Sequence, residues 1–209
     1  MDKVKVSKII SGLKKAYPEA YCSLDHKNPF QLLAATILSA QCTDERVNMV
    51  TPALFKKYPG PAQMAKAPLA DLEKLVHSTG FYKNKALSIK EASKAIADNF
   101  GGLGPRSMEE LLTLRGVARK TANVVLGSAY GIAAGVVVDT HVKRLAYRLG
   151  LTKETDPGKI ETDLMKALPK SEWIWFAHAL VLHGRAVCAS RKPLCEKCPL
   201  KSPCPRKGL

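Results

Sequence analysis

Apolar residues recur along this chain at the three-and-four spacing of a helix, and almost nowhere at the two-residue alternation of a half-buried strand. Val6-Ile9-Ile10-Leu13, Leu32-Leu33-Ile37-Leu38 and Val47-Val50-Leu54-Phe55 each lay a stripe along one face, as do Leu69-Leu72-Leu75-Val76 and Ala86-Ile89-Ala92-Ile96. Asn28 before Pro29, Asp156 before Pro157 and Ser171 before Glu172 set a capping side chain ahead of a first turn. Gly80, Gly101-Gly102 and Gly150 stand where helices should stop. The longest apolar run, Val124 to Val138, is short of a membrane span and is interrupted by Gly127, Gly131 and Gly135. It reads as a buried helix followed by a turn. The pattern predicts an all-α protein of about ten short helices joined by tight turns. Gly101-Gly102-Leu103-Gly104-Pro105 is then a loop between helices, not a domain linker.

Charge narrows the class. A chain of 209 residues can bury a sizeable core, and its 33 Lys plus Arg against 18 Asp plus Glu leave a net charge of +15. Such a surface attracts polyanions, of which nucleic acid is the commonest in a cytoplasm. A membrane surface fits less well, since no segment joins a Lys/Arg-rich face to bulky apolar anchors. Met1-Asp2-Lys3-Val4-Lys5 runs straight into an amphipathic pattern, so no signal peptide is expected and the thiols should stay reduced.

In that setting the cysteines carry chemistry. Cys188, Cys195, Cys198 and Cys204 fall within seventeen residues, with Pro193, Pro199, Pro203 and Pro205 stiffening the loops between them. Four thiolates suit a [4Fe–4S] cluster or a structural zinc. Zinc ligands usually pair as two C-x2-C knuckles, and only Cys195 and Cys198 form one here, so the spacing favours the cluster. Cys22 and Cys42 lie far from this group and read as small buried apolar residues.

Two further segments are informative. Leu111 to Ala122 carries a helical turn into a short hairpin at Gly116, and Lys120 opens the next helix. Backbone N–H groups at such a start suit a phosphate oxygen, and a contact to phosphate is independent of base sequence. By itself the segment is equally a packing hairpin with solvated Arg119 and Lys120. Val136-Val137-Val138 is a strand-like run that delivers Asp139 to the mouth of a helix holding His141. An Asp in that place is also an ordinary N-cap.

Taken together these segments resemble the endonuclease III family of DNA glycosylases, within the helix-hairpin-helix superfamily. The resemblance runs through nearly the whole chain. Leu38-Ser39-Ala40-Gln41-Cys42-Thr43-Asp44, Thr79-Gly80-Phe81-Tyr82-Lys83-Asn84-Lys85-Ala86, Leu114 to Ala122, Val138-Asp139-Thr140-His141-Val142 and Cys188 to Cys204 fall in the family's order. It implies a two-lobed all-α glycosylase fold. Residues 23–134 would form a helical barrel containing the hairpin at about 111–126. Residues 1–22 and 135–209 would form a cluster lobe, with DNA across the cleft between the two.

The implied activity is that of a bifunctional glycosylase and abasic-site lyase of base-excision repair, acting on oxidised pyrimidines and cutting 3′ to the lesion by β-elimination. Lys120 falls on the family's nucleophile and Asp139 on its catalytic carboxylate. The four clustered cysteines would hold a [4Fe–4S] cluster without a catalytic role, presenting Arg191 and Lys192 to phosphates. Gly116, Ala118 and Arg119 would meet phosphate at the hairpin, and Gln41 and Phe81 would enter the duplex. His141 also matches a position on the DNA side, and it and Asp44 read as structural support. The implied partner is double-stranded DNA with a damaged base or abasic site, met by a monomer away from membranes, in a bacterial cytoplasm at the nucleoid.

Three positions depart from the family pattern. Phe81 stands where Leu is more frequent, and Arg115 and Ala118 stand where the hairpin usually has Pro and a second Gly. A left-handed backbone at Ala118 would be strained. Adenine glycosylases of the superfamily lack a lysine at position 120. A non-catalytic cluster protein would have no use for Lys120 and Asp139.

Overall fold

Eleven α-helices and three short 3-10 turns account for the regular structure of residues 3–209, which this computed structural model describes, and no strand occurs among them. The chain divides into two compact units, Cys22–Ile132 and a second made of Met1–Tyr21 with Ala133–Leu209.

The first unit is built around helix α2 (Pro29–Leu38), whose sequence PFQLLAATIL has no polar face and is buried from Phe30 to Leu38. A helix that is apolar all round must be enclosed, and α3 (Asp44–Lys57), α6 (Tyr82–Asn99) and α8 (Arg119–Tyr130) pack around it. Its start follows from local chemistry: Asn28 Oδ1 accepts the Gln31 amide at 2.9 Å, and Pro29 supplies a first-turn residue that needs no N–H partner. Helices α4 (Pro61–Lys66) and α5 (Leu69–Val76) lie against α6, and α7 (Met108–Leu112) lies against α8.

In the second unit, α1 (Lys3–Ala16) packs on α11 (Trp173–Ala186), and α9 (Thr140–Arg148) packs on both α11 and α10 (Pro157–Ala167). Ile9, Leu13, Leu145, Ile160, Leu164, Phe176 and Leu180 share one core there. Asp156 accepts the Lys159 amide at 3.0 Å and starts α10 as its sequence suggests. Ser171 does not start α11: Lys170–Glu172 is a 3-10 turn, and the helix begins at Trp173 without a side-chain cap. Val136 to Val138 belongs to no strand and leads irregularly into α9.

Candidate functional site

The hairpin between α7 and α8 turns on Gly116. In the Leu114–Val117 turn, closed by Val117 N–H to Leu114 O at 3.2 Å, Gly116 is the third residue, with φ +79°. A type II turn demands positive φ there. A Cβ on Gly116 would also lie 2.8 Å from Ser88 Cβ of α6. Strain and overlap act together, so Gly116→Ala is expected to cost roughly 2 kcal/mol or more. Calorimetry should read this as a melting temperature lower by about 4–8 °C. Arg115 occupies the second turn position, where proline would preset φ. Its guanidinium reaches Asn84 Oδ1 of α6 at 3.5 Å.

Ala118, the N-cap of α8, sits at φ −98° and ψ 170°. That extended backbone suits any residue, so replacing a glycine there carries no strain. Ala118 offers the first-turn amides no side-chain oxygen, and no acidic residue occupies that turn. This is the arrangement of a phosphate site. Arg119 and Lys120 are the first two residues of α8, both exposed.

Gln41 and Phe81 share an unusual backbone. Both are left-handed, at φ 53° and 48°, and both are exposed, Phe81 by 68%. Residues with a Cβ give up roughly 1–2 kcal/mol in that region, and such strain gathers at functional positions. Lys192 in the cysteine loop is likewise left-handed, at φ 51°, and exposed. Gly80 beside Phe81 has φ +71° and ψ 155°, a combination open essentially to glycine alone.

Asp139 is the N-cap of α9, and its Oδ1 accepts the Val142 amide at 2.8 Å. It is half-buried. His141 nests against Gly184, where a Cβ would lie 2.7 Å from the His141 Nδ1, and the same Nδ1 accepts from Arg144 at 3.1 Å. Burial lowers the His141 pKa; Asp139 opposes this and Arg144 reinforces it. The Arg144 guanidinium also donates to the Gly184 carbonyl at 3.0 Å and the Cys188 carbonyl at 3.0 Å.

The cysteine loop is gripped from the other end of α9. Arg148, only 7% exposed, donates to Cys188 Sγ at 3.3 Å, Ala189 O at 2.7 Å and Ser190 O at 2.9 Å. Leu200 is buried, and its amide lies 3.4 Å from Cys198 Sγ. His183 Nε2 stands 3.4 Å from the same sulfur, and burial holds that imidazole down to about 4. Burial pushes the Cys198 thiol up, and Cys188, Cys204 and Cys195 push the same way. Arg191 and Lys192 are exposed on this loop. Cys22 and Cys42 are half-buried rather than enclosed.

Residues 34–170 match the model of the HhH-GPD superfamily base excision DNA repair proteins. Over 97% of its length the chain is 60% identical to the endonuclease III of Synechocystis sp., covering 93% of that protein. The chain belongs to the endonuclease III family. The endonuclease III of Bacillus subtilis is 46% identical over 92% of this chain and 87% of its own. A solved endonuclease III trapped as a covalent intermediate with DNA superposes with a TM-score of 0.92 at 41% identity, covering 99% of this chain and 97% of that one. As a member of the endonuclease III family the chain is a bifunctional base-excision DNA glycosylase and abasic-site lyase. No helix among the described residues is long and apolar enough to cross a membrane.

Structure adds residues that the sequence alone does not single out. Arg144 and Arg148 read in the sequence as part of a basic helix face, yet both turn inward onto the cysteine loop. Lys85 reads as one more surface lysine of α6, yet it is 5% exposed.

Proposed function

We propose that this enzyme removes oxidised pyrimidines from duplex DNA, with Lys120 as the nucleophile and Asp139 as the carboxylate that assists it. The observation that carries this reading is the hairpin. It sets an exposed lysine at the second residue of a helix whose first turn has no side-chain cap. A phosphate held at those amides would bring the sugar backbone to the lysine amine.

A damaged base leaves the stack at least cost, which exposes C1′. The Lys120 Nζ attacks C1′ and the base departs with the glycosidic bonding pair. Asp139 takes a proton or stabilises the positive charge that develops on the sugar. The adduct opens to an imine, which acidifies the C2′ hydrogen. Loss of that proton expels the 3′ phosphate, and water returns the lysine. A nucleophile that remained bound after base loss is what makes the second cut available.

Gln41 and Phe81 support the same reading. Exposed side chains on left-handed backbone have no packing reason to be there, and inserting a side chain to replace lost stacking is a common device on distorted DNA. Gly116, Ala118, Arg119, Arg191 and Lys192 are proposed as phosphate contacts. His141, pinned by Gly184 and Arg144, supports the Asp139 helix start.

Cys188, Cys195, Cys198 and Cys204 are proposed to hold a [4Fe–4S] cluster. The donor set fits: Cys188, Cys195 and Cys204 each disfavour charge on Cys198, and four neighbouring thiolates can be held together only around a positive centre. The Arg148 guanidinium and the Leu200 amide are placed to donate to sulfur. Held by these four cysteines, a cluster would close the loop that carries Arg191 and Lys192.

An end-labelled duplex with one thymine glycol, incubated with the enzyme and borohydride, tests the proposal. A covalent protein–DNA band and a strand cut 3′ to the lesion are expected. Base release without a trapped band would replace the lysine mechanism with an activated water.

A further inference from the structure

Lys85 has no part in the chemistry above, and burial of this kind is unusual for a lysine. It lies on α6 close after Phe81, and two of its groups hold the chain on both sides of the Gly80–Phe81 turn. Its ammonium donates to the Thr79 carbonyl at 2.7 Å, and its backbone amide donates to the Phe81 carbonyl at 3.1 Å. Thr79 is itself buried, with its hydroxyl on the Val76 carbonyl at 2.8 Å. Burial lowers the Lys85 pKa. The side chain thus holds the turn that presents Phe81.

That turn needs such a hold. Phe81 keeps a left-handed backbone while its side chain faces solvent, so nothing on the outside fixes it. A conformation of that kind persists only when the surroundings over-determine it. A side chain that enters the stack is most effective when its position is set before DNA arrives, because ordering it during binding costs affinity and rate.

We infer that Lys85 is a positioning residue that braces the Thr79–Phe81 turn from inside, so that the duplex-entering Phe81 side chain stands ready. The inference rests on the reading of Phe81 given above. At 5% exposure Lys85 does not reach DNA and acts only through this turn.

The test compares Lys85→Met, which keeps length and loses the donor, with Phe81→Ala. Two substrates separate opening of the duplex from the lysine chemistry. Thymine glycol in a duplex requires opening of the stack. An abasic site in a single-stranded oligonucleotide has no stack to open, and borohydride trapping on it reads Lys120 alone. Lys85→Met should slow base release from the duplex on the order of 10- to 100-fold. Single-strand trapping and binding of undamaged duplex should stay within about twofold, since neither uses the brace. Phe81→Ala should show the same pattern, and the double variant should be no slower than Phe81→Ala, because the two changes act on one event.

An equal loss on single strand and duplex would overturn the inference, since the effect would then lie in the fold around Lys120. So would a normal duplex rate in Lys85→Met beside a slow one in Phe81→Ala. A normal rate in Phe81→Ala would instead remove the reading of Phe81 on which the inference stands. Lys85→Gln keeps an N–H donor on a shorter chain and is measured on the same substrates. A duplex rate between those of Lys85→Met and wild type supports the brace. If Lys85→Met does not fold, selective duplex slowing in Lys85→Gln supports it, and a uniform loss overturns it.

Discussion

The Lys120→Ala enzyme is expected to bind duplex containing an abasic site, yet to form no borohydride-stable adduct and cut no strand. The loss in strand cleavage should be at least about 10³-fold, the scale of removing a group that acts only in the transition state. The substitution is clean in structural terms. Lys120 is exposed at the second residue of α8, Ala118 contributes no side-chain cap that could be disturbed, and alanine is the best helix former. The phosphate contact proposed for this turn is made by backbone amides, which the alanine variant keeps. Gel-shift affinity within a few-fold of wild type, together with absent trapping, identifies the nucleophile. Binding lost in step with cleavage would make Lys120 a phosphate-holding residue instead.

Asp139→Asn should lower base release by about 10²- to 10⁴-fold, the span found for a positioned acid or base. Asn caps helices as well as Asp does, and its side-chain oxygen can accept the Val142 amide that Asp139 now holds at 2.8 Å. The fold should therefore change by no more than a few tenths of a kcal/mol. Asp139→Ala removes the cap as well, at about 1 kcal/mol, and should melt about 2–4 °C lower. Comparing the two separates charge from capping. If Asn retains full activity, the carboxylate is an N-cap and nothing more.

Particular residues show how much of this could be seen in the sequence. Asn28-Pro29 and Asp156-Pro157 start helices because the capping oxygen and the first-turn proline act within one turn, with no tertiary help required. Ser171-Glu172 carries the same kind of signal and fails, since a 3-10 turn precedes Trp173. Ser107 and Glu110 form a reciprocal capping box ahead of α7, and their S-x-x-E spacing was available as a helix-start signal. The run at Val136 to Val138 has the residues of a strand, yet no strand occurs among the described residues.

At the site, Lys120, Asp139 and the four clustered cysteines stand out because their residue types and spacings have chemical meaning. Lys85, Arg144 and Arg148 do not, since a basic residue on an amphipathic helix looks the same whether it points to water or to a neighbouring loop. The left-handed backbone at Gln41 and Phe81 is equally hidden, because both residue types disfavour it and only the surrounding fold imposes it.

The pairing of α1 with α11 has a consequence for how the protein is made. Lys3–Ala16 leaves the ribosome well before Trp173–Ala186, the helix that covers it. At about 5–20 residues per second that interval is roughly 10–30 s, far longer than a helix needs to form. Throughout it Val6, Ile9 and Leu13 have no native partner on α11, while Cys22–Ile132 emerges whole and can close its own core around α2. The nascent chain thus carries a finished hairpin unit behind an amphipathic helix whose apolar face stays open until α11 arrives.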